Sequence, residues 1–93
     1  MPMFTVVLDY RGGTYISQLR APSVRTAQIA WAKSLEPGVV FGLGAKRLVQ
    51  LVQEIEQDPY GIYAPVALRG LTNAWCCGSP YGLLNIIKTD STQ

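Results

Sequence analysis

Gly42, Gly44, Lys46 and Arg47 form the segment best suited to hold an anion. Two glycines before a helix start leave backbone N–H groups accessible, and two cations follow at once, so a phosphate or a nucleic-acid backbone would fit there. The spacing matches neither Gly-x4-Gly-Lys-Ser/Thr nor Gly-x-Gly-x-x-Gly. The opposing interpretation is a helix entry with solvated charges. Cys76 and Cys77 are adjacent, without the two-residue spacer of a redox or metal pair. Their Cα atoms would lie about 3.8 Å apart, too close for an unstrained bridge, so two reduced thiols in a strand are expected. The chain contains no histidine. That excludes Ser-His-Asp and Cys-His nucleophile systems, and every histidine-bearing metal site. The carboxylates form no evident pair: Glu54 and Glu56, two apart on a helix, diverge. An enzyme would need Asp9, Tyr10 or Tyr15, and a cysteine to converge in one pocket. No catalytic residue, metal site or cofactor is expected. Tyr60, Tyr63 and Tyr81 fall in turn-forming segments, where tyrosine either anchors a protein interface or caps the edge of the core.

These groups must be positioned by a small set of elements. Phe4 to Tyr10 reads as a strand, with Phe4, Val6, Leu8 and Tyr10 on one face and Thr5, Val7 and Asp9 on the other. Arg11-Gly12-Gly13 is a hairpin turn, and Thr14 to Arg20 returns as a second strand. Ser23 is a helix N-cap, and Val24, Ala27, Trp31 and Leu35 form the apolar stripe of a helix that Pro37-Gly38 ends. Ile29 lies off that stripe. Val39 to Phe41 is an extended connector or a very short strand. A second helix over 45–57 shows the clearest periodicity, Leu48, Leu51, Val52 and Ile55. Its charges run against its dipole: Lys46 and Arg47 stand at the positive end, and Glu54, Glu56 and Asp58 at the negative end, at ~0.3–1 kcal/mol each. Residues 60–68 read as loop or irregular extended chain around Pro65. Leu71 to Cys77 and Leu83 to Thr89 are the third and fourth strands, joined by a turn at 78–82. The last strand is apolar on both faces, which predicts a central or doubly covered position.

The sequence therefore predicts a single α+β domain over 1–93, with a frayed tail at 90–93. Its element order is β-β-α-α-β-β, a four-stranded antiparallel sheet with two helices packed on one face. The opposite face carries Val7, with Trp75 or Cys76, among Thr and Asn. Such a partly apolar open face suits a homodimer.

The composition narrows the class further. With 93 residues the chain has room for one core. It is 48% hydrophobic, too apolar for a disordered chain. Only 15% of residues are charged, for a net charge of +2, which favours self-association or a stable partner and gives little support to nucleic acid. Free cysteines suit a reducing compartment. The first residues have no basic leader region, and no apolar run reaches the ~20 residues of a bilayer span. A cytoplasmic protein with no membrane association is expected.

The opening Phe-Thr-Val-Val-Leu-Asp-Tyr-Arg-Gly-Gly-Thr-Tyr-Ile-Ser-Gln-Leu, followed by Pro22, Ser23 and a helix, resembles the start of HicB-like antitoxin domains. The likeness spans residues 4–36. The chain departs from that family's pattern: the third strand before the helix is missing, and no DNA-binding extension follows. The resemblance assigns no functional residue. It implies a small bacterial α+β protein that binds another protein. The expected function is a non-catalytic, protein-binding module of antitoxin or immunity type, with Tyr60, Tyr63 and Tyr81 as contact residues. The alternative is a nucleic-acid- or anion-binding accessory protein that uses the helix start at Lys46 and Arg47.

Overall fold

Alternation builds the centre of this fold. Phe4, Val6 and Leu8 recur at every second position of β1 (Met3–Tyr10) and are each at most 2% exposed, because successive strand side chains point to opposite faces. A computed structural model describes residues 1–40, 44–57, 63–78 and 82–89. β1 turns into β2 (Gly13–Arg20) through Arg11 and Gly12, with φ of +49° and +80°. Two consecutive positive φ values mark the turn whose twist suits a two-residue hairpin, which is why glycine stands there.

The fold is α+β, with two helices and one antiparallel sheet among the described residues. That sheet has five described strands, not four. α1 (Val24–Ser34) and α2 (Ala45–Gln57) are followed by β3 (Pro65–Ala67), β4 (Ala74–Cys77) and β5 (Leu83–Lys88), and the strand order is β2-β1-β5-β4-β3. The extra strand lies where an irregular segment was expected. Proline weakens a strand pattern, but it is tolerated on an edge strand, and β3 is the edge beyond β4. β4 is shorter than expected and starts at Ala74 rather than Leu71. β5 lies at the middle of the sheet, in keeping with its apolar residues on both faces.

Register assigns the faces. Val6 pairs with Ser17 and Ile86, Leu8 with Tyr15 and Leu84, and Ile86 and Leu84 pair in turn with Trp75 and Cys77. Directly opposed residues share a face, so these side chains line the helix-covered side, where Phe4 and Trp75 rings stand 6.1 Å apart. α1 packs there against β1, β2 and β5. Ser23 caps α1 as its spacing predicts, its hydroxyl oxygen accepting from Thr26 N–H at 3.2 Å. Ile29, off the main stripe, is half-buried against the core. α2 lies chiefly along α1 and adds Leu48, Leu51 and Ile55 to the same core. Each such fully buried aliphatic side chain contributes ~1.5–3 kcal/mol.

Candidate binding surface

The acidic end of α2 is wired into α1. The Arg25 guanidinium donates through Nη2 to the Ile55 carbonyl, in the last turn of α2. Carbonyls there have no intrahelical partner, and a cation is favoured beside them. Arg25 Nη1 also donates to Gln28 Oε1 at 3.1 Å, and Gln28 Nε2 donates to the Tyr63 carbonyl at 2.6 Å. The Tyr63 hydroxyl donates to Glu54 Oε2 at 2.6 Å, Gln50 Nε2 donates to Glu54 Oε1 at 3.1 Å, and Lys33 pairs with Glu56 at 3.3 Å. The reversed charge pattern of α2 thus has a structural use. Its acids hold Tyr63 and Lys33, while Arg25 supplies the positive charge that the helix terminus favours. Sequence periodicity missed Gln28, which is 1% exposed on the buried side of α1. A polar residue one turn from Val24 on an apolar face was the available signal.

Of the three tyrosines, Tyr60 and Tyr81 lie outside the described residues. Tyr63 is 8% exposed and belongs to the core, its hydroxyl held by Glu54. At the start of α2, Gly42 also lies outside the described residues. Gly44 accepts from Leu48 N–H at 3.0 Å as the first carbonyl of the helix, and Lys46 and Arg47 are exposed. Gly44 has no side chain to cap the first helical N–H groups, so the first turn is open to an acceptor.

Asp9 and Tyr10 point to opposite sides of the sheet. Tyr10 and Tyr15 lie on the helix side, and Asp9 is exposed on the other, accepting from the Thr14 hydroxyl at 2.7 Å. Asp9 and the two tyrosines therefore do not share a pocket. The cysteines are likewise split. Cys77 faces the core at 1% exposure, and its thiol is raised from an ordinary value near 9.0 to about 12. Burial is the main cause; Cys76 adds to it and Arg25 opposes it. Cys76 is half-buried on the helix-free face, and both thiols are free. Trp75 is on the helix side, so of the two alternatives for the open face it is Cys76 that lies there.

Among the described residues, the helix-free face carries several exposed aliphatic side chains. Register places Ile16, Val7, Asn85, Cys76 and Val66 in one row across all five strands. Ile87 and Leu83 lie in the rows on either side. Ile16 and Val66 are each 65% exposed and Leu83 51%. A second apolar feature is a groove of about 350 Å³ between α1 and α2, lined by Ala32, Leu35, Pro37, Leu48 and Val52. Among the described residues, no helix is long and apolar enough to cross a membrane, and no cluster of Cys, Asp and Glu could hold a metal ion.

Comparison with protein-family models, curated proteins and solved structures finds no match.

Proposed function

We propose that the chain is a small, non-catalytic, cytoplasmic protein-binding module of antitoxin or immunity type. It acts through the helix-free face of its sheet, and its partner is another protein or its own copy. The supporting observation is the row Ile16, Val7, Asn85, Cys76 and Val66 on that face, with exposed Ile16 and Val66 at its two edges and exposed Leu83 in the next row. Exposed aliphatic side chains gathered on one sheet face point to an interaction surface, whereas singly scattered ones do not. Tyr60 and Tyr81 are proposed as further contacts, and Tyr63 as the residue that anchors the chain leading into β3. The test is affinity retention from lysate of the source cells, with wild type beside Ile16→Lys and Val66→Lys. Wild type should retain a stoichiometric protein and both variants should lose it. Equal retention by all three refutes this surface, and recovery of nucleic acid instead refutes the class.

The uncapped start of α2 favours a second reading, an anion or nucleic-acid site at Gly42, Gly44, Lys46 and Arg47. Salt separates the two. Phosphate binding weakens steeply as salt rises, and an aliphatic interface does not.

A further inference from the structure

Strand β2 is the unguarded edge of the sheet. Ala21 N–H donates to the Pro2 carbonyl at 3.2 Å, and Tyr10 and Gly13 close the two-residue hairpin. Both facts place the inward hydrogen bonds of β2 on its odd-numbered residues, because bonding and non-bonding pairs alternate along an antiparallel ladder. The N–H and C=O groups of Thr14, Ile16, Gln18 and Arg20 therefore point away from the sheet. Among the described residues, no strand lies beyond them. Proteins blunt such edges with short strands, proline, bulges or charge. The opposite edge follows that rule, since β3 has three residues and begins at Pro65. β2 does not. It has eight residues in unbroken register with β1, no proline, and no charge before its last position, Arg20.

We infer that this edge pairs antiparallel with β2 of a second copy, across a two-fold axis at Ser17, joining the two sheets into one. The inference deepens the protein-binding reading, on which it rests, by naming the partner. In this register Ile16 stands opposite Gln18 of the second copy, and Arg20 opposite its Thr14. Every outward N–H and C=O group of the strand then finds a partner. A foreign extended peptide would satisfy the same backbone groups. What singles out the chain's own strand is the match of its side chains. On the helix-free face, Arg20 lies one strand beyond Thr14 and in line with Asp9 of the second copy, because Thr14 pairs with Asp9 within each sheet. Two strand spacings, about 10 Å, separate those α-carbons, and a guanidinium and a carboxylate reaching toward each other span it. Arg20 Nη1 already donates to the Met1 carbonyl at 3.0 Å, which leaves its other N–H groups for the second copy. On the helix side, half-buried Tyr15 meets half-buried Leu19, an aromatic–aliphatic cross-strand pair. The two ends of the strand are thus complementary to each other in charge and in shape, as an isologous contact requires.

Sedimentation equilibrium of the full chain, from micromolar to millimolar, tests this. Wild type should fit a monomer–dimer equilibrium. Gln18→Pro removes an outward N–H and the exposed side-chain bond from Gln18 Nε2 to Thr5 Oγ1 but leaves the backbone ladder to β1 intact, so it should keep the native circular dichroism and weaken the dimer at least about tenfold. Arg20→Glu should weaken it, and Asp9→Arg combined with Arg20→Glu should restore it. A monomer at millimolar concentration overturns the inference, as does a folded Gln18→Pro chain that still dimerises. If the monomer nonetheless retains a lysate protein that Ile16→Lys loses, self-pairing fails while the protein-binding reading survives. A dimer that retains no other protein supports self-pairing and makes the second copy the partner.

Discussion

Gln28 is the residue whose replacement most directly tests how the two helices are joined. Its amide donates to the Tyr63 carbonyl at 2.6 Å and accepts from Arg25 at 3.1 Å, and the side chain is 1% exposed. Gln28→Met conserves volume and removes both bonds. The Tyr63 carbonyl is then buried without its donor, at ~1–3 kcal/mol, whereas Arg25, half-buried and still bonded to Ile55, recovers part of its loss from water. A net loss of about 2–3 kcal/mol is expected, against a total stability of ~5–14 kcal/mol for a chain of this length. The melting temperature should fall by roughly 10–20 °C. Urea unfolding followed by the fluorescence of Trp31 and Trp75 reads the change, since Trp31 sits in the core one turn along the same helix. Gln28→Glu, which keeps the shape and the acceptor but loses the donor, should cost at least as much at neutral pH. Gln50→Met on the exposed face of α2 should stay within ~0.5 kcal/mol of wild type. If Gln28→Met and Gln28→Glu both stay within ~0.5 kcal/mol, the buried network does not contribute as argued.

Four further outcomes follow from the same structure. Tyr63→Phe leaves the ring in the core and removes the hydroxyl from Glu54; a loss of about 1–2 kcal/mol is expected by urea denaturation, and no loss would show that this bond is idle. Iodoacetamide should label Cys76 in the folded chain and Cys77 only in urea, with mass spectrometry locating the label. Because the Cys77 thiol is raised in the folded state, its contribution is intact below about pH 9 and is lost as pH rises from 9 toward 12. Wild type should therefore lose more stability across that window than Cys77→Ala does, and parallel curves would contradict the burial. Gly82 has φ +112°, and a Cβ there would lie 2.1 Å from the Asp9 carbonyl oxygen, so Gly82→Ala should cost about 3 kcal/mol or more in thermal or urea unfolding.

Periodicity and punctuation made much of the fold legible. Alternation at Phe4, Val6 and Leu8, two glycines in a turn, Ser23 as a cap and the Leu48–Ile55 stripe each have a local physical cause, and those elements stand where that cause puts them. β3 was not legible, because a three-residue edge strand containing Pro65 owes its existence to β4 rather than to its own propensity. The same limit applies to the sides of the sheet. Leu71 to Cys77 carries no strict alternation, so only the pairing of Trp75 with Ile86 shows that Trp75 faces the helices and Cys76 faces away. Tyr63 illustrates the converse. A tyrosine near turn residues reads equally as contact or as core, and its partner Glu54, nine residues back on α2, settles its side chain in the core.

The claim that the helix-free side of the sheet binds protein is tested most directly by photo-crosslinking in living source cells. A benzoylphenylalanine at position 16 places the reactive group at the most exposed aliphatic site of β2, and one at position 50 on α2 serves as the control. Irradiation should convert the position-16 chain into a discrete protein adduct, with the mass of a second copy if β2 self-pairs, and leave the position-50 chain unchanged. No adduct at position 16, or equal adducts at both positions, would contradict the account.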